Sequence, residues 1–199
     1  AINSNLVSKP ALFDKLMLES KDVKGFHLYT SNESCGAQSE YIRDGMDWDL
    51  WKNNLQATID SNNFDGINVM CTISALALEG LVDFLKECVA FKKMNSRKFP
   101  QFSLNILRFP NFQSPLILPL EMRLKFSENL AKFLDENQDY LNEMEMSQGR
   151  RLCVYLKQKH ETNKDLEQNF KNYFKQYDKR RNKDFEETFP IIGDWYRGI

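Results

Sequence analysis

Strand-like and helix-like runs alternate singly from Ile2 to Leu107, and that rhythm limits the available folds more than any other feature of the chain. Ile2-Asn3-Ser4-Asn5 reads as a strand end breaking into a turn. Ser8 followed by Pro10 signals a helix start, with Leu12, Phe13 and Leu16 on its apolar face. Phe26 to Thr30 is rich in aromatic and β-compatible residues and predicts a strand. After a polar stretch from Ser31 to Gly45, Asp47 is placed to cap a helix carrying Trp48, Trp51, Leu55 and Ile59 on one side. Asp65-Gly66 reads as a turn and Ile67 to Ile73 as the next strand. Leu78, Leu81, Val82, Leu85 and Val89 then mark one face of a helix. Phe102 to Leu107 alternates and predicts a fourth strand. Strands joined by single helices form right-handed βαβ units and a parallel sheet. The expected fold class is therefore α/β, as a partial (β/α) barrel or an open sheet.

In such sheets ligands sit on the loops at the strands' carboxyl ends. The loops after Ile2, Thr30, Ile73 and Leu107 are the places to look. The loop after Thr30 carries Ser31, Glu33, Cys35, Gln38, Glu40 and Arg43. Glu33 is suited to accept hydrogen bonds from ribose hydroxyls, and Arg43 to pair with a carboxylate. The competing reading is that Arg43 and Glu40 neutralise each other on the surface. Asn5, Thr72 and Arg108 stand at the equivalent ends of the other strands. Arg108-Phe109-Pro110 opens a stiff loop containing Pro115 and Pro119, apolar enough at Phe112, Leu116, Ile117 and Leu118 to cover one side of a cleft.

Composition narrows the function classes. The 199 residues carry a net charge of −1, which gives no electrostatic case for nucleic acid or an anionic membrane. No apolar run approaches the roughly 18 residues that span a bilayer, and no signal-peptide pattern is present. Cys35, Cys71, Cys88 and Cys153 form no close pair, so reduced cytoplasmic thiols packed in the fold are expected. His27 lies inside a strand, far along the chain from His160, and no zinc, P-loop, GxGxxG, GxSxG or HExxH pattern occurs.

After Pro119 the character changes, dividing the chain into an α/β part, 1–119, and a helical C-terminal segment, 120–199. Leu130, Phe133 and Leu134 mark a helix, and Asn142 to Gly149 reads as a polar break. Thr162-Asn163-Lys164-Asp165 is a capping-box pattern before a helix through Tyr177. The charge run from Asp178 to Asp184 reads as a solvated helix end, and the aromatic tail from Phe185 to Tyr196 as a segment that docks back.

The loop motifs are more specific together than apart. Ile2-Asn3-Ser4-Asn5, the run TSNESCGAQSEYIRDG from Thr30 to Gly45, Val69-Met70-Cys71-Thr72 and Leu107-Arg108-Phe109-Pro110 resemble the later half of a radical SAM enzyme. The chain is most similar to the phage and marine bacterial proteins described as twitch-domain-containing. Their loop reads like TSxDxxGxxAEYIRxG, and Lys179 to Pro190 resembles their C-terminal RRGxxFxxTFP stretch. The resemblance implies the later strands of a (β/α)6 barrel that binds S-adenosylmethionine (SAM) beside a [4Fe–4S] cluster. One-electron cleavage would give a 5′-deoxyadenosyl radical that abstracts hydrogen from a substrate.

Carried over by position, Ser31 and Glu33 match the ribose-contacting S-x-D, with Glu one methylene longer than the family's Asp. Arg43 matches the arginine that meets the SAM carboxylate, and Ser4-Asn5 the TN element ending the third strand. Thr72 and Arg108 fall near the cofactor by position. The cluster-binding CxxxCxxC would precede Ala1, so no metal ligand is expected in this chain. An auxiliary cluster is not expected either. The implied partners are a small-molecule substrate and an electron donor such as ferredoxin or flavodoxin. A sheet missing its first two strands would expose the edge at Ala1 to Ser4. The alternative reading is a non-catalytic α/β ligand-binding or interaction domain.

Overall fold

The computed structural model describes residues 1–95, 99–160 and 163–199. Four strands form one parallel sheet in the order β1-β2-β3-β4: Ile2–Asn3, His27–Ser31, Gly66–Ile73 and Gln101–Ile106. Spatial order follows chain order, so the sheet has no point at which its winding reverses. A doubly wound nucleotide fold would place its ligand at such a point. Here the ligand positions left are the strand ends and the sheet's second face.

Four helices fill the three connections: α1 (Pro10–Glu19), the pair α2 (Gly36–Ile42) and α3 (Trp48–Ser61), and α4 (Ala77–Met94). The spacing of apolar residues dictates which faces they bury. Asp47 caps α3 by accepting from the Leu50 N–H (2.9 Å), and Trp48, Trp51, Leu55 and Ile59 all point inward. Trp51 is fully buried, stacks on Trp48 at 5.5 Å, and donates its indole N–H to the Thr30 hydroxyl (3.1 Å). Leu81, Leu85 and Val89 bury the expected stripe of α4. Burying each such side chain contributes about 1.5–3 kcal/mol. By contrast α1 buries none of its residues, and Leu12 on it is 58% exposed.

Leu28, Ile67, Val69, Cys71, Ile73, Phe102 and Leu104 face this helical layer and are buried. The alternate positions, Tyr29, Ser31, Asn68, Met70, Thr72, Ser103 and Asn105, form a second, mostly polar face that is half-buried or exposed. The Asp65-Gly66 turn is shorter than the sequence suggests, because Gly66 already belongs to β3 and pairs with His27. A Cβ on Gly66 would overlap the His27 imidazole, so any other residue there requires that ring to move.

The C-terminal segment adds α5 (Leu120–Glu136), α6 (Glu143–Leu156), α7 (Lys164–Arg181), α8 (Phe185–Thr188) and α9 (Pro190–Gly198). The expected polar break from Asn142 to Gly149 is instead the first half of α6. Asn142 and Glu145 form a reciprocal capping box (2.9 and 2.8 Å). The polar residues misled because they serve the sheet. Glu145 Oε1 accepts from the Phe102 N–H (2.9 Å), Gln148 Oε1 accepts from the Leu104 N–H (2.5 Å), and Arg151 donates to the Leu104 carbonyl (3.3 Å). The helix thus satisfies the outer edge of β4, which an exposed sheet would leave unpaired. Glu145 also neutralises buried Lys92 at 2.7 Å.

α7 starts at an Asn163 cap that accepts from the Leu166 N–H (2.7 Å); Thr162 of the predicted capping box lies outside the described residues. The tail docks as expected, burying Phe185, Phe189 and Tyr196 against Phe170, Phe174 and Tyr41. No helix among the described residues is long and apolar enough to cross a membrane.

Candidate functional site

The run from Ser31 to Gly45 is not a loop throughout: its middle is α2. The helix escaped notice because it is short and its inner face is Ser39 and Tyr41 rather than an aliphatic stripe. The turn into it is built on Asn32, which is fully buried. Its Oδ1 accepts from the Glu33 N–H (2.9 Å), the Ser34 N–H (3.4 Å) and the Ser39 hydroxyl (2.8 Å). Two backbone donors fix which end of the amide is oxygen. Its Nδ2 has no partner among the described residues. Nothing in the sequence set Asn32 apart from other turn asparagines.

Glu33 is 2% exposed, so it does not stand open to solvent as a ribose acceptor. Its Oε2 takes the Arg43 guanidinium at 2.6 Å and the Thr72 N–H at 3.2 Å, while Oε1 accepts from no described residue. Burial pushes the Glu33 carboxyl above its usual value, and Arg43 partly opposes this. The carboxylate therefore joins the carboxyl ends of β2 and β3 and aims Arg43. The competing surface pair with Glu40 does not form; Glu40 accepts from the Trp48 N–H instead (3.1 Å).

Arg43 keeps 28% of its side chain exposed and, with Asn5, Val7 and Met46, lines a cavity of about 300 Å³. Its buried Nε has no partner among the described residues. A buried unpaired donor costs about 1–3 kcal/mol, so the Arg43 Nε beside this cavity calls for an acceptor. On the facing loop Leu6 is held at φ 57, with the Ser4 hydroxyl accepting from its N–H (3.1 Å) and Asn5 Oδ1 accepting from the Val7 N–H (3.2 Å). These turns present Asn5 to the cavity.

Asn5, Glu33, Arg43 and Thr72 are therefore brought together. Ser31 ends β2 on the polar sheet face, next to Met70 in the pairing register. Arg108 lies apart, in a second cavity at the end of β4.

The C-terminal segment grips this loop. The Tyr41 hydroxyl donates to Asp178 Oδ1 (2.5 Å), and the Tyr177 hydroxyl donates to the Tyr41 carbonyl (2.8 Å). Arg181 and Lys183 pair with Asp44, and Lys183 donates to the Glu40 carbonyl (2.6 Å). The charge run from Asp178 to Asp184 is thus a clasp on residues 40–44, not only a solvated helix end. A run of mixed charges gave no sign of it, because its partners lie far along the chain. Gly80 of α4 completes the frame: a Cβ there would overlap the Ser34 hydroxyl and the Gln38 amide oxygen.

The four cysteines do not converge. Cys71, Cys88 and Cys153 are buried, and Cys35 is half-buried with its thiol pushed up to about 12 by burial. Among the described residues no three His, Cys, Asp or Glu side chains are grouped to hold a metal. No protein family, curated protein or solved structure matches the chain.

Proposed function

We propose that the chain is the SAM-binding part of a radical SAM-type (β/α) barrel, with the cofactor seated across the carboxyl ends of β1 to β3. The observation that carries this reading is the Arg43–Glu33–Thr72 network beside the cavity lined by Asn5 and Arg43. An amino-acid zwitterion needs a fixed guanidinium for its carboxylate and acceptors for its ammonium; Asp44, which also lines the cavity, is an acceptor whose charge is met by Arg181 and Lys183. Arg43 commits one nitrogen to Glu33 and retains further donors for a ligand carboxylate. Glu33 acts as a positioning residue for Arg43. Asn5 offers an amide across the cavity, and the polar sheet face at Ser31 and Thr72 suits hydroxylated groups such as ribose. The sequential parallel order of the sheet also supports a barrel-type fold.

The chemistry such a cofactor supplies is hydrogen abstraction after one-electron reduction. The dispersed cysteines do not fit a [4Fe–4S] cluster. On this reading its ligands come from outside residues 1–199. The second reading is a non-catalytic domain that keeps the fold and binds SAM without a cluster.

Calorimetry with SAM tests the shared claim. Saturable heat is expected, and Arg43→Met weakens binding by about tenfold or more, the loss of a charge-assisted hydrogen bond. Absence of heat at millimolar SAM rejects both readings. Iron–sulfur reconstitution of a polypeptide that includes the residues preceding Ala1 separates them: a cluster spectrum favours the enzyme.

A further inference from the structure

A second cavity, of about 390 Å³, opens at the carboxyl end of β4 and is lined by Arg108, Asn111, Ser114, Tyr155, Gln158 and His160, with Leu116 as its one apolar wall. Among the described residues, hydrogen-bond donors line it and no carboxylate does. Arg108 is exposed and has no ion pair or hydrogen bond with any described residue. The Tyr155 and Ser114 hydroxyls meet at 3.3 Å, and Ser114 is buried, which holds this pair in place.

Behind the cavity lies a second guanidinium. Arg123 is 1% exposed and donates to the carbonyls of Leu118 (2.8 Å), Leu156 (2.7 Å) and Gln158 (2.9 Å). All three acceptors are neutral, and no carboxylate among the described residues pairs with it. Burial lowers its pKa, as expected for a desolvated cation without a counter-charge. A buried ion left without a partner is costly, and an anion nearby relieves that cost. Gln158 connects the two, since its carbonyl is held by Arg123 while the residue lines the cavity.

We propose that this cavity binds the phosphate or carboxylate group of a small molecule. Arg108 makes the direct contact, the Tyr155 and Ser114 hydroxyls orient the anion, and Arg123 adds positive potential from behind. The site shares no lining residue with the cavity of Asn5 and Arg43, so it stands whether or not that cavity takes SAM.

The test is an NMR titration of the whole chain with sodium phosphate and, separately, sodium acetate, each at constant ionic strength against chloride. Saturable shifts are expected for the Arg108 Nε–H and the Leu116 and Tyr155 amides. Tighter saturation by phosphate identifies a phosphate-bearing ligand, and tighter saturation by acetate a carboxylate. Arg108→Gln weakens binding by about tenfold or more. Lys175→Gln, which removes an exposed cation elsewhere, leaves it unchanged. Arg108 is exposed, so its variant keeps the fold; an unchanged amide spectrum away from the cavity verifies this. The proposal is overturned if neither anion gives saturable shifts in the millimolar range. Equal shifts from chloride, or full affinity in Arg108→Gln, overturn it as well.

Discussion

Glu33 carries the most consequence of any single residue, because its burial makes it an internal anchor for Arg43 and the Thr72 N–H. Its carboxyl titrates above its usual 4.5 in the fold, with desolvation the largest cause and Arg43 opposing it. The native state then holds the proton to higher pH than the unfolded chain. The stability it contributes is complete below 4.5 and is lost as pH rises through the raised native value. Glu33→Gln removes that titration. Thermal melts from pH 4.5 upward should give a flatter profile for the variant than for the wild type; parallel profiles would reject the assignment. Its neighbour Asn32 shows the limit of reading residues singly. A turn asparagine is ordinary in sequence, and only the tertiary structure shows it buried with an unpaired Nδ2 among the described residues.

Among the elements, α6 shows how polar residues conceal a buried face. Glu145 caps its own helix, accepts from β4 and neutralises Lys92, which also donates to the Tyr140 carbonyl (3.1 Å). Removing one partner of such a pair strands the other charge in the interior. Glu145→Ala should therefore cost about 3–5 kcal/mol in denaturant unfolding. The double variant Lys92→Met/Glu145→Leu, which strands no charge, should cost less than Glu145→Ala alone. If the double variant is the worse of the two, the ion pair is not what holds α6 on the sheet. The same helix ends beside the Arg108 cavity and contributes Tyr155 to it. One element therefore closes the sheet edge and builds a candidate site.

Across the whole molecule, the last helices hold the loop that carries Arg43. Tyr41 sits in an aromatic cluster with Phe174, Tyr177, Phe185 and Phe189, and Asp178 accepts both its hydroxyl and the Phe185 N–H (3.0 Å). Asp178→Ala should lower stability by about 1–3 kcal/mol, the cost of unpaired buried donors. It should also speed amide exchange in residues 40–45. Unaltered exchange there would show that the clasp does not order the loop.

Apart from α2, strand and helix identities were legible from residue 1 to 110 because apolar periodicity is local: a strand repeats every two residues and a helix every 3.6. The parallel sheet followed from that, while the Asp47 cap was read from capping chemistry and the docking of the tail from its aromatic content. What escaped were α2, the start of α6 and the role of the charge run, all places where a polar residue is satisfied by a distant one. Tyr41 and Asp178 are 137 positions apart, and Glu145 reaches Lys92 across 53. Periodicity reports burial of apolar surface and carries no record of such partners. The chain by itself therefore determined the βα framework and the loops on which polar side chains collect. Only the tertiary structure decided that Glu33 pairs with Arg43 rather than leaving it to Glu40, and that Arg108 stands in a separate cavity, because ion pairs and cavities exist only once distant segments meet.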